Sequence, residues 1–323
     1  MAVQMRTGRA RVGGDVELAY DVFGDRGLPL VLIMGIGAQR IFWHDAMCER
    51  FVGAGFLVAR FDHRDIGESS RHDALGRARP GRALAQRVVG TAVDAPYTLS
   101  DMATDVAGLI EQLGWSRAHV VGVSLGGMVG QHLALEHPAR VRSLTSIMST
   151  PGARRYLPEP RAFGALFSRP PRTAPEAGIH VARMFAAIGS PMWPADPARL
   201  RAIGELSFQR GMSPGGFLRH FAAVLASGDR RAALASLAAP TLVIHGTRDP
   251  MFPLAAGRAL AHLVPHGTWL PIAGMGHDLP EPLWPMFVAA IARHAARADQ
   301  MREDGGGPTA ETCVAPVGFE PTL

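Results

Sequence analysis

The sequence predicts an α/β protein: a mostly parallel β-sheet with helices on both faces and one inserted helical cap. Three observations carry that reading. Short apolar runs recur between residues 30 and 148, alternating with helix-patterned stretches. The alternation stops at residue 151, where prolines become dense and no strand pattern survives. It resumes near residue 241 with two more strand–helix pairs, too few to form a sheet of their own. The expected boundaries are 1–150 for the first part of the core, 151–229 for the cap, 230–298 for the second part of the core and 299–323 for a disordered tail.

Each element follows from its local pattern. Val16–Phe23 alternates after Gly13-Gly14 and reads as the second strand of an N-terminal hairpin. Leu30–Met34 and Phe56–Phe61 are buried parallel strands, separated by a helix over Phe42–Val52 that Gly53 and Gly55 end. Arg71–Arg87 reads as a basic Gly/Pro-rich loop. Thr98–Leu113 places Met102, Val106, Leu109, Ile110 and Leu113 on one helical face, with Ser100 as the expected N-cap. His119–Val123, Leu125–Glu136 and Val141–Met148 then form a strand–helix–strand unit. After the proline-rich segment come strands at Thr241–His245 and Thr268–Pro271 and helices at Pro253–Leu263 and Leu283–His294. From Ala298 onward no periodicity is left, and Asp304–Pro308 and Val317–Leu323 are given no structural role.

Composition removes several function classes. All 33 basic residues are arginine, and the chain has neither lysine nor asparagine. A lysine-dependent phosphate loop, a Schiff base and a glycosylation acceptor are therefore excluded. Cys48 and Cys313 cannot build a disulfide framework or a four-thiolate metal site. The net charge of +5 comes from scattered arginines interspersed with acids, not from a basic stripe, so no nucleic-acid partner is expected. The N-terminus lacks the apolar core of a signal peptide, and no stretch is apolar enough to span a bilayer. The expectation is a cytoplasmic protein with a small-molecule ester as its partner.

The chemistry is concentrated in three short motifs. Gly122-Val123-Ser124-Leu125-Gly126 fits G-x-S-x-G between a buried strand and a helix, the context of a nucleophile elbow. A serine hydroxyl needs a base, and the base needs an orienting acid. Asp249 follows the Thr241–His245 strand, and His277 lies between strand and helix in Gly274-Met275-Gly276-His277, in the chain order serine, acid, histidine. Asp278 is a weaker candidate acid because adjacent side chains diverge, and Asp229 stands at the wrong end of its strand. Two backbone N–H groups, those of Leu125 and Ile36, are the expected oxyanion donors, with Gly35 and Gly37 letting the loop turn inward. Gly35-Ile36-Gly37 is not a dinucleotide fingerprint, since the third glycine position is Arg40. His132, Glu136 and His137 lack a metalloprotease spacing, and neither a metal nor a cofactor is expected.

These residues resemble the α/β-hydrolase superfamily across roughly residues 15–298. Within it, Ile33-Met34-Gly35 together with Arg60-Phe61-Asp62-His63-Arg64-Asp65-Ile66-Gly67-Glu68-Ser69 looks like the branch containing aclacinomycin methylesterase and related carboxylesterases. Asp62 and Arg64 read as a structural brace of that turn. The resemblance implies a serine hydrolase for a carboxylic ester of medium size, with a methyl or short-chain ester on an apolar scaffold as the leading substrate. The cap contributes Phe163, Leu166, Phe167, Ile179, Met184, Phe185, Ile188, Met192, Trp193, Phe208, Met212, Phe217 and Phe221; most are expected to pack the cap onto the core and some to line a cleft above Ser124 suited to an apolar substrate. Carbon–carbon bond hydrolysis, perhydrolysis and a non-catalytic ligand-binding role are the alternatives. Dehalogenase and epoxide hydrolase chemistry is disfavoured, because those relatives use an aspartate where this chain has Ser124.

Overall fold

A computed structural model of the chain describes residues 3–76 and 78–304. Cys313 and the tail from residue 305 lie outside the described residues. Strands β1 (Met5–Gly13) and β2 (Val16–Phe23) form the antiparallel N-terminal hairpin. Six more follow: β3 (Leu28–Ile33), β4 (Phe56–Phe61), β5 (Ala118–Val123), β6 (Val141–Ile147), β7 (Thr241–Gly246) and β8 (Gly267–Ile272). The eight strands make one sheet in the order β1-β2-β4-β3-β5-β6-β7-β8. β2 meets β4 antiparallel, and every pairing beyond β4 is parallel.

The helices are α1 (Asp45–Gly53), α2 (Pro80–Val89), α3 (Leu99–Gln112), α4 (Leu125–Glu136), α5 (Pro160–Leu166), α6 (Ala174–Ile188), α7 (Pro197–Gln209), α8 (Pro214–Ser227), α9 (Arg231–Leu234), α10 (Leu254–Leu263) and α11 (Trp284–Glu303). Side-chain alternation along the central strands explains the two-sided packing. Val31, Ile33, Val120, Leu144 and Val243 join the α3, α4 and α10 face, while Leu30, Leu32, Val121, Ile147 and Ile244 join the α1 and α11 face. Buried on both sides, such strands carry continuous apolar runs, which is why they are legible in the sequence.

Helices α5 to α8 occupy the insertion between β6 and β7. α6 and α7 cross closely because both are glycine at the contact. A Cβ on Gly178 would lie 2.8 Å from the Arg201 carbonyl oxygen, and one on Gly204 would lie 2.6 Å from that of Ala177. Phe163, Phe167, Phe217 and Phe221 form an aromatic cluster joining α5 to α8, edge-to-face across the two helices, with the closest centroids 4.7 Å apart.

Three expectations need correction. The basic segment Arg71–Arg87 is not wholly loop: Pro80 opens α2 at a permitted first-turn position and Gly90 closes it in the left-handed conformation at φ 82°. The N-cap of α3 is Thr98, one side of a reciprocal capping box with Asp101, and not Ser100, which lies one residue inside the helix. The last helix continues past His294 to Glu303, so residues 299–303 belong to the core and not to a tail. Its final turns are anchored by small residues, Ala295 and Ala298, and by Asp299 pairing with Arg142 at 3.0 Å, signals that hydrophobic periodicity does not register.

The loop after β4 is tied to the insertion by a buried ion pair. The Arg219 guanidinium on α8 donates to both oxygens of Asp65, at 2.8 and 2.6 Å. Tyr97 Oη and the His72 N–H also donate to that carboxylate. Burial alone would raise the Asp65 carboxyl, yet Arg219 and the other donors hold it at about 2. Removing one partner strands the other charge out of water. We therefore expect Asp65→Ala to cost about 3–5 kcal/mol, read as a lower urea midpoint. A change below about 1 kcal/mol, the scale of an exposed pair, would contradict the buried bracket.

Candidate active site

Ser124 sits where β5 ends and α4 begins, with φ 56° and ψ −117°. That left-handed conformation is costly for a residue with a side chain, and the surrounding packing imposes it. β5 enters the turn fixed by the Ser124 N–H donating to Ile147 O at 2.9 Å. The Ser149 hydroxyl donates to the Ser124 carbonyl oxygen at 2.8 Å. Gly122 and Gly126 are required by distance: a Cβ on either would lie 2.2 Å from a backbone oxygen, that of Gly126 or Ile33 respectively. The turn therefore places the Ser124 side chain at the carboxyl edge of the sheet, beside the first turn of α4.

Asp249 and His277 meet in the loops after β7 and β8. The His277 Nδ1–H faces both Asp249 oxygens, at 3.0 and 2.9 Å. The carboxylate is fixed from behind, accepting the Met251 and Phe252 N–H groups at 2.8 and 3.0 Å. With Nδ1 donating to Asp249, Nε2 carries the free lone pair of the neutral ring. Ser124 and His277 both line one cavity of about 400 Å³, without a hydrogen bond between them. In ligand-free sites such bonds are commonly long and close on substrate binding. Asp278 is committed elsewhere: its carboxyl contacts the Ser190 hydroxyl, and burial pushes it up.

Ile36 and Leu125 flank the serine. Leu125 opens α4, so its N–H has no acceptor within the helix. Among the described residues no acceptor takes the Ile36 N–H. Gly35 lies directly against the serine, where a Cβ would make ordinary van der Waals contact 3.4 Å from that of Ser124. Two buried histidines hold this loop from beneath. His63 Nε2 donates to the Met34 carbonyl at 3.0 Å, while His220 Nδ1 accepts the Gly37 N–H at 3.5 Å and its Nε2 donates to Arg64 O at 3.0 Å. Both rings are buried; His220 makes its two bonds only as the neutral Nε2–H tautomer, whereas His63 needs only its Nε2–H. Burial depresses them accordingly, His63 to about 4 and His220 to about 3.

The same loop is held from its far end by charge. Asp62 accepts from the Arg40 backbone N–H at 2.7 Å, contacts the Arg40 guanidinium, and takes a further bond from Arg210 at 3.0 Å. Gln39 donates to the Ser207 carbonyl at 2.8 Å and accepts from Arg210 at 3.0 Å. Arg64 pairs with Asp105, both bonds being 2.6 Å. Asp62 and Arg64 are therefore braces, as their position in the turn implies. His220 and Arg210 carry no local sequence signal, because a single polar residue within or at the end of an amphipathic helix is silent until its neighbours are known.

The cavity itself is apolar. Met34, Met47, Met148, Met184 and Met251 line it together with Phe42, Phe185, Trp193 and Trp284, while Asp196, Arg199 and Glu281 supply charge. Of the apolar residues expected in the insertion, Leu166, Met184, Phe185, Ile188 and Trp193 reach it. Phe163, Phe167, Phe217 and Phe221 pack on one another, and Ile179 and Met192 are exposed.

The α/β hydrolase fold family model matches residues 29–281, and the chain belongs to that family and is a hydrolase. Rhodomycin D methylesterase DauP of Streptomyces sp. (strain C5) is 29% identical over 309 residues, covering 88% of this chain and 96% of its own. The RutD protein of Variovorax paradoxus (strain S110), which carries a provisional carbamate hydrolase name, is 30% identical over 264 residues, covering 78% of this chain and 89% of its own. A hydrolase of solved structure from Pseudomonas aeruginosa PA01 superposes with a TM-score of 0.64 at 26% identity, covering 89% of this chain and 97% of that one. No helix among the described residues is long and apolar enough to cross a membrane.

The histidine brackets make stability pH-dependent with a defined sign. His63 and His220, and likewise His119 and His294 at about 4, bind protons less readily folded than unfolded. The unfolded chain therefore takes up more protons below the ordinary histidine value of about 6.5, and stability is lost as pH falls through the window from about 6.5 to about 4. The raised carboxyls of Asp105 and Asp278 oppose this trend but are fewer. Differential scanning calorimetry should show Tm falling steadily between pH 7 and pH 4. A flat Tm over that range would contradict neutral buried histidines.

Proposed function

We propose that the chain is a serine esterase acting on a carboxylic ester of a medium-sized apolar substrate. In this reading His277 Nε2 removes the proton from the Ser124 hydroxyl as its oxygen attacks the ester carbonyl. Asp249 holds the ring in position and balances the imidazolium that forms. The Leu125 and Ile36 N–H groups receive the oxyanion. Collapse expels the alcohol, which takes the proton from the imidazolium and leaves Ser124 acylated. Water, deprotonated in turn by His277, then releases the acid and restores the serine. The observation that carries this reading is the Asp249–His277 pair, fixed by backbone donors, sharing a wall of one apolar cavity with a serine in a strained turn.

The insertion over residues 151–229 acts as the cap in this scheme, supplying Leu166, Met184, Phe185, Ile188 and Trp193 to the substrate cavity. An interior so rich in methionine adapts its shape to bulky apolar groups. The kinship with rhodomycin D methylesterases favours a methyl ester carried on an apolar scaffold.

A panel of p-nitrophenyl esters tests the assignment. Turnover should prefer medium acyl chains to acetate, and Ser124→Ala should lower kcat by about 10³-fold or more. Activity that survives Ser124→Ala would refute the serine mechanism. Peroxide-dependent halogenation without ester turnover would replace it with perhydrolysis.

A further inference from the structure

The loop that carries His277 is fastened to the insertion through one small side chain and one backbone hydrogen bond. The Gly276 N–H donates to Ser190 Oγ at 2.8 Å, the Ser190 hydroxyl donates to Asp278 Oδ1, and the His277 N–H donates to the Ile188 carbonyl at 2.7 Å. Ser190 follows α6 and is 3% exposed. The two segments lie backbone to backbone. A Cβ on Gly276 would stand 2.3 Å from Gly189 O, and one on Gly189 would stand 3.1 Å from Asp278 Oδ2. Of the four residues 188–190 and 278, Ile188 and Asp278 also line the substrate cavity.

We infer that Ser190 is a positioning residue for His277, an inference that rests on the esterase reading above. Its hydroxyl accepts from the residue before the histidine and donates to the residue after it, so both flanks of the imidazole are tied to one oxygen. The Asp249 contact fixes the ring at Nδ1 and the Ile188 carbonyl holds the His277 N–H, but neither bond holds Gly276 and Asp278 on either side, which leaves them free to shift. Ser190 closes this freedom and sets where Nε2 stands over Ser124. Because Met184, Phe185 and Ile188 on α6 line the cavity, the same bond joins the surface that grips the substrate to the base that activates the nucleophile.

The chemistry of Ser190 defines its test. It touches no reacting atom, so its loss should alter the rate of the chemical step and leave binding largely intact. Ser190→Ala should lower kcat on a p-nitrophenyl ester by about 10- to 100-fold, the scale of a sub-ångström to ångström displacement of a catalytic group, with KM changed by less than about threefold. The rate at which a fluorophosphonate probe labels Ser124 should fall by the same factor, because labelling also needs the base. Ser190→Thr keeps the hydroxyl and should restore both rates. Melting curves report the folded fraction, so that rates are compared per folded molecule. If Ser190→Ala labels and turns over at the wild-type rate, or if the threonine variant is as slow as the alanine variant while fully folded, Ser190 has no positioning role. If the wild-type protein itself is not labelled at Ser124, the esterase reading fails, which is a different outcome from either of these.

Discussion

The site depends on a backbone constraint: a residue with a side chain held at positive φ between a strand and a helix. Ser124 pays for no contact of its own by adopting that conformation; the cost is borne by the sheet and α4, which leave no other path for the chain. β5 is paired on both sides, with β3 and with β6, so its end is not free to relax. α4 starts immediately and lies against β3, with Gly126 in contact with the Ile33 carbonyl. Two glycines admit this approach, and any other residue at either position would meet a backbone oxygen at 2.2 Å. The strain is a consequence of rigid elements on either side, and it delivers a hydroxyl to the open edge of the sheet.

A second principle organises the ground beneath that edge. Polar groups buried around the loop of residues 34–40 are paired almost without exception to a partner of opposite character: His63 to a carbonyl, His220 to an N–H and a carbonyl, Arg40 to Asp62 and Asp21, Arg219 to Asp65. Buried networks of this kind contribute little net stability for the number of bonds they contain, because desolvation offsets most of the gain. Their effect is to specify one geometry. Here they join the loop carrying the Ile36 N–H to the turn after β4 and to the insertion through Arg210, Arg219 and His220. The loop carrying the Ile36 N–H, the cavity wall and the polar core thus form one mechanically continuous unit.

Much of this could be read from the sequence, and the reasons are physical. β2, β4 and α4 begin and end where the pattern places them, since a fully buried strand is a short apolar run and a nucleophile turn demands glycine at fixed spacing. The pairing of Asp249 with His277 follows from their places after consecutive strands. Other features were hidden for equally definite reasons. α2 buries only Ala83 and leaves Leu84, Val88 and Val89 exposed, in a segment whose arginines, glycines and prolines read as loop. The end of α11 is held by alanines and ion pairs instead of large side chains. His63, His220 and Ser190 act through partners distant in the chain, and no local pattern announces a contact made across 156 or 86 positions. Local geometry is legible in sequence; long-range polar pairing is not.

The account stands on a covalent intermediate at one serine, and that species can be weighed. Intact-mass spectrometry of acid-quenched protein during turnover of a slowly deacylated p-nitrophenyl ester should show the chain heavier by one acyl group, and peptide mapping should place the added mass on Ser124. No acyl adduct during measurable turnover, or an adduct on another residue, would contradict the central claim.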